Sequence, residues 1–418
     1  MLRTSTRAHR AASALPLPRW LLLLFSLIVF GTGLTLLPFA LSFLQSFLQS
    51  PVLSLTQPAT AAAAASLYSD DAQMRDQAIG QLAQLKSAEA TSQLLTFFQH
   101  DEYIVDNGLS IAHALAGIGT PQTMRVLIHS LGSDASESRR MAAMAGLEEA
   151  RPSADGLLVS ALDDADAVVR ENAARLLGYR HAGQAGTALL AASHDVQPAV
   201  REAAAWSLSE VAGVQALSRL DQMALLDNDT HVRETAALMV QRIYARASAA
   251  IEAPVRAIAV APNGQAYAAT VDALYTLREQ TWQPLNVLSD SATALAVGDD
   301  GRTLYLGTPT RGLLRSTDGG QRFDSLAALP AGLGVSALCV NPLDARQVFV
   351  ALAEMGSLPE TQPAPRGVFY SADGGVTWQA LEGAPQDELS VQLLMDTASP
   401  RYVFGATSEH AWRANVRE

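Results

Sequence analysis

Three turns in the middle of the chain set an acid and a base at one fixed spacing. Asp164, Asp195 and Asp227 each stand six residues before an arginine (Arg170, Arg201, Arg233) inside a Val-Arg-Glu triplet. Such a pattern can grip a charged ligand, or it can be structural. An Asp at a helix start caps free amide groups, and an Arg one repeat along can pair with it. The expectation is the structural ladder. Asp163, Asp164 and Asp166 crowd together, yet the Gly and distal Glu of a calcium loop are missing. His100, His113, His129, His181, His194 and His231 fall singly, without metal-ligand spacing. Lys86 is the sole lysine, so a phosphate-loop or Schiff-base role would have to fall to a residue in a helix turn. Cys339 excludes an intrachain disulfide, and its alternating strand-like surroundings predict a buried, inert thiol. No catalytic residue, cofactor-binding residue or metal ligand is assigned, and no cofactor is expected.

A second spacing is more specific. Ser316-Thr-Asp318-Gly319-Gly320-Gln-Arg-Phe323 and Ser371-Ala-Asp373-Gly374-Gly375-Val-Thr-Trp378 share the pattern Ser-x-Asp-Gly-Gly-x-x-aromatic. In such a hairpin the Asp accepts backbone amide hydrogens, Gly supplies positive φ and the aromatic packs on the sheet. Arg311, Arg315 and Arg366 stand in the same stretch of chain as these two turns.

The elements that position these residues follow from periodicity. Three and four residues after each repeat arginine come paired alanines (Ala173-Ala174, Ala204-Ala205, Ala236-Ala237), and seven after it Leu177, Leu208 or Val240. A period of about 31 residues describes stacked helix pairs, none of which can bury its apolar face alone. With Arg75, Arg139, Arg170, Arg201 and Arg233 as marks, about six units fill 70–246. One unit is degenerate, with Asp106 in the Arg place and Asp101 at the turn. The last has only its first helix clearly written.

Near Pro254 the period becomes two. Residues 255–260, 292–297, 335–340 and 391–396 begin four sets of strands, the last without an outer strand. Repeating small sheets of this length predict propeller blades over 255–418. A closed ring, an open wedge, pairing of two chains or docking on the helices would each deal with the strand edges. Residues 354–366 form a Pro-rich insertion, read as a flexible excursion.

The amino-terminal part reads as a basic cytoplasmic segment (1–19, with Arg3, Arg7, Arg10 and Arg19), a transmembrane anchor (20–48) and a Pro/Ala/Thr linker (49–69). The rest of the chain is then extracytoplasmic at a bacterial membrane. The rival is secretion after signal cleavage near Ala61–Ala65. The formal charge of −12 argues against a nucleic-acid partner.

The array resembles the short HEAT-like repeats of bacteria, phycobilisome-lyase repeats included. The Ser-x-Asp-Gly-Gly hairpins resemble the Asp-boxes of sialidase-type and related propellers. The fold class is therefore multidomain α plus β: an N-terminal transmembrane helix, an α-solenoid of about six HEAT-like repeats and a small β-propeller-like domain of about four blades. The resemblance implies that the boxes are structural, and the Arg-Ile-Pro signature of a sialidase is missing. The expected function is a non-enzymatic, membrane-anchored scaffold for an unspecified protein partner, with a homo-oligomer possible through the sheets. The alternatives are a glycan-binding or sialidase-like protein and, by analogy with Asp-box propellers that help build photosystems, a complex-assembly factor.

Overall fold

The computed structural model describes residues 60–416 except 327, 331, 356–362 and 396–399. The expected basic segment (1–19), the anchor (20–48) and the first half of the linker lie outside the described residues. No helix among the described residues is long and apolar enough to cross a membrane. The chain divides into two compact units, 1–93 and 94–418.

In the first unit, residues 60–66 are helical, with Ala63 and Leu67 buried. The described part of the expected 49–69 linker thus has helical backbone at 60–66. An alanine run looks like a spacer by composition, but alanine is the best helix former. Helix α1 (Ala72–Leu85) starts at Asp71, whose side chain accepts the Gln73 amide, and stops at Lys86 in the left-handed region. Helix α2 (Ala88–Phe98) follows and runs past the unit boundary.

The second unit begins with helices α3 (Asp101–Ile118), α4 (Pro121–His129), α5 (Glu137–Glu148), α6 (Asp155–Ala161), α7 (Ala167–Tyr179), α8 (Gly186–Ala192), α9 (Pro198–Val211), α10 (Leu217–Leu226) and α11 (Thr230–Ile251). The first helices α3, α5, α7, α9 and α11 pack side by side in chain order, and α10 returns against α11. This is the expected solenoid order, with α11 standing alone at the end. Small residues set the spacing. A Cβ on Gly146 of α5 would lie 2.7 Å from the Ala112 carbonyl of α3, and one on Gly178 would meet the Trp206 ring of α9 at 2.4 Å.

Four antiparallel sheets follow: β1 (Ala257–Val260) to β4 (Thr281–Val287), β5 (Ala294–Val297) to β8 (Asp324–Ser325), β9 (Gly334–Asn341) to β12 (Gln379–Ala380), and β13 (Gln392–Met395) to β15 (Ala411–Asn415). Each runs inner to outer in chain order, and the last has three strands. One apolar core fills the space between sheets one and two, a second lies between two and three, and a third between three and four. Inner strands β1, β5, β9 and β13 pack in that sequence. Among the described residues no comparable packing joins β13 back to β1. The β3–β4 turn is made by Glu279 and Gln280, both at positive φ. That conformation normally selects Asn-Gly, so the hairpin carries no sequence signature.

Candidate functional site

The ladder residues are brought together, with a different geometry from the one expected. Arg170 makes a two-pronged bond to Asp195, at 2.7 and 3.0 Å, and Arg201 makes one to Asp227, at 2.8 and 2.7 Å. Each Asp thus meets the arginine of the preceding unit. The aspartates do not cap the helix amides directly. Asp164, Asp195 and Asp227 each accept the amide two residues on, from Asp166, Gln197 and Asp229. Asp166 and Asp229 are the caps that receive the first helical amides. Asp166 also accepts the Ser133 amide and hydroxyl, tying its turn to the unit before. The Arg bond and this amide hold Asp195 below its ordinary pKa, and Asp227 is lowered likewise despite burial. Among the described residues no guanidinium bonds the Asp164 carboxylate, and Arg170 donates to its backbone carbonyl instead. Arg233 donates to the Asp227 carbonyl and Thr230 hydroxyl, and no carboxylate among the described residues meets it. One unit earlier the direction reverses: Arg139 reaches back to Asp101.

The sequence did not single out Arg180. Its guanidinium donates to the carbonyls of Leu147, Glu148, Ala150 and Arg151 and to Asp155, closing the C-terminal end of α5. No other unit repeats it, so periodicity could not reveal it.

The two Ser-x-Asp-Gly-Gly turns are near-identical. Asp318 Oδ1 accepts the Gln321 and Arg322 amides, and Asp373 Oδ1 accepts those of Val376 and Thr377. Ser316 and Ser371 each donate to their Asp and accept the amide of Gly320 or Gly375. Gly319, Gly320, Gly374 and Gly375 all have positive φ. Each turn seats on the preceding sheet. A Cβ on Gly320 would lie 2.6 Å from Leu274, and one on Gly375 would lie 2.5 Å from Leu326. Asn286 binds the Gly320 carbonyl, and Arg315 binds that of Gly374. Phe323 packs on the first core and Trp378 on the second. These residues therefore couple successive sheets. Their bonds lower the Asp373 carboxyl to about 2, the Thr377 hydroxyl contributing most.

Arg311, Arg315 and Arg366 do not share a target. Arg311 donates to Ser289, Arg315 to Gly374 and Arg366 to Glu354 at the base of the insertion. Cys339 is buried, and desolvation pushes its thiol pKa up. Among the described residues no three His, Cys, Asp or Glu side chains are placed to hold a metal ion.

Among the described residues, two open surfaces carry a Phe, Tyr or Trp ring. On the first helices, Arg175, Tyr179, Glu202, Trp206, Thr235 and Leu238 line a shallow groove of about 200 Å³. The groove follows from the repeat, because Arg175, Trp206 and Leu238 occupy one position in successive units. Tyr179 and Trp206 rings lie 4.7 Å apart, and Leu238 is 58% exposed. The second surface is a crevice of about 410 Å³ between sheets one and two, lined by Asp290, Arg311, Phe323 and Asp324 among others.

The array also meets the sheets. Gln392 of β13 donates to Asp221 of α10, Ile258 of β1 donates its amide to the Tyr244 hydroxyl of α11, and Gln215 donates to the Gly264 carbonyl. Docking on the helices, one of the outcomes expected for the strand edges, is thus part of the fold. Asp221 keeps some accessible surface, yet the atoms packed around its carboxyl raise the pKa to about 6 by desolvation, which the Gln392 bond only partly opposes.

The family model of HEAT repeats matches residues 58–148 and 155–241. No curated protein matches the chain. Among solved structures, a GH74 xyloglucanase from Xanthomonas campestris is 21% identical, over 38% of this chain and 29% of its own, with a TM-score of 0.30. YCF48 from Cyanidioschyzon merolae is 15% identical, over 39% and 51%, at 0.31. An engineered protein is 19% identical, over 44% and 96%, at 0.27. The chain spans less than two thirds of the first two structures, and similarities this distant carry no argument about activity.

Proposed function

We propose that this chain is a protein-binding scaffold without catalytic chemistry, tethered outside a bacterial membrane by its amino-terminal segment. A HEAT solenoid presents the docking groove, and the four sheets form a small Asp-box propeller that carries it. The observation behind this reading is the row Arg175, Trp206 and Leu238 with Tyr179 beside it, an aromatic and apolar strip rimmed by Glu202 and Arg175. Aromatic anchors in a charged rim are what a protein interface needs, since they bury much area at little entropic cost.

Crosslinking in intact cells tests this. The full chain and its Leu238→Asp variant, altered at an exposed side chain, are compared for the proteins they capture. The reading expects at least one partner held by the native chain and lost by the variant. Identical captures would overturn it. The crevice beside Phe323 supports the second reading, glycan binding, because an aromatic ring flanked by Asp and Arg suits a sugar face. That reading predicts oligosaccharide binding that Phe323→Ala abolishes and Leu238→Asp leaves intact.

A further inference from the structure

The contacts between sheets follow a series. Thr293, at the start of the second sheet, donates to the Val335 carbonyl of the third at 2.6 Å. Ser336, in the matching place on the third, donates to the Ser390 carbonyl of the fourth at 2.8 Å. Gln392 holds that place on the fourth sheet, and its amide donates not to another sheet but to Asp221 of α10, at 3.2 Å. On the other flank, the Tyr244 hydroxyl of α11 takes up the Ile258 amide on the free edge of β1, at 3.1 Å. Helices α10 and α11 thus stand where a further sheet would continue the row, and they link its first and last members.

We propose that Asp221 makes this junction a pH-sensitive latch, closed while the carboxyl is neutral and loosened once it ionises. The links from Thr293 and Ser336 end on backbone carbonyls, which have no charge to gain. This one ends on an acid. From β13 the group facing Asp221 is the uncharged Gln392 amide, and from α11 it is the Tyr244 phenol, pushed up to about 12 chiefly by burial. On its own helix Arg219 is turned to Ser193 and Gln222. No guanidinium among the described residues contributes to the shift of Asp221, so an ionised carboxylate there gains one amide donor and loses water. The sign follows from linkage. The folded value, about 6, lies above the ordinary 3.8. The stabilisation is complete below about pH 4 and is lost as pH rises through 6. The gap amounts to about a hundredfold in the opening equilibrium.

Amide hydrogen exchange on the full chain reads this directly, because the Ile258 N–H spans the junction. After correction for the intrinsic pH dependence of exchange, Ile258 protection should fall by up to about a hundredfold between pH 3 and pH 8, about tenfold of it above pH 5. The Leu208 amide, within α9, should not change. In Asp221→Asn the Ile258 fall should vanish, since an amide cannot ionise. Constant Ile258 protection in the native chain, or an undiminished fall in the variant, would overturn the proposal. Should Asp221→Asn not fold, Gln392→Leu serves instead. Removing the donor that favours the carboxylate moves the fall to higher pH, and an unmoved fall counts against the latch.

Discussion

At the scale of single residues, the charges of the array differ mainly in how much water they have lost. The Arg201 and Asp227 side chains are 14% and 7% exposed and meet by two parallel bonds, whereas Arg175 and Glu171 are 41% and 24% exposed and share one. Removing Arg201 leaves a desolvated carboxylate, so Arg201→Ala should lower stability by about 1–3 kcal/mol in urea unfolding. Arg175→Ala, on the more exposed pair, should cost under about 0.5 kcal/mol. The pH dependence has a definite sign. Asp195 and Asp227 are depressed in the folded state, so their contribution is complete above the ordinary carboxylate pKa near 4 and is lost as pH falls below it. An acid titration of unfolding should show this loss in the native chain and a smaller one in Arg201→Ala.

At the scale of elements, glycines decide where helices and sheets can touch, and they were only partly legible. The Gly-Gly pairs of the two turns announced themselves because Ser, Asp and an aromatic stand at fixed distances around them. Gly146 carried no such mark, yet a Cβ there would strike the Ala112 carbonyl. The sequence pointed instead to alanine pairs, which recur with the repeat while Gly146 does not. Gly375→Ala combines a φ of +91° with a contact of 2.5 Å to Leu326. It should destabilise by at least about 1–3 kcal/mol. Gly117→Ala, in α3 with nothing within 4 Å, should stabilise by about 0.5–1 kcal/mol. Thermal unfolding of the two variants should therefore move in opposite directions.

At the scale of the whole molecule, the order of modules was readable and their joining was not. Helical and alternating periods gave the repeat units and the four strand sets, because each repeats a local rule. The contact of Gln392 with Asp221 links residues 171 positions apart and repeats nothing, so no window of sequence contains it. The reversed ladder direction was hidden for the same reason: one spacing allows an arginine to reach either neighbour. The junction has a consequence for unfolding. The last helices and the sheets share hydrogen bonds at Gln215, Asp221 and Tyr244, so they should lose structure in one transition. Far-ultraviolet dichroism at helical and strand wavelengths should report coincident midpoints.

The central claim is that partners dock on the first-helix face, and site-specific photocrosslinking in living cells tests it most directly. A photoreactive residue placed at Leu238, in the groove, should yield a discrete higher-mass adduct. One placed at Leu190, an exposed site on α8 outside the groove lining, should not. An adduct from Leu190 alone, or none from Leu238 while the protein is folded and present, would contradict the account.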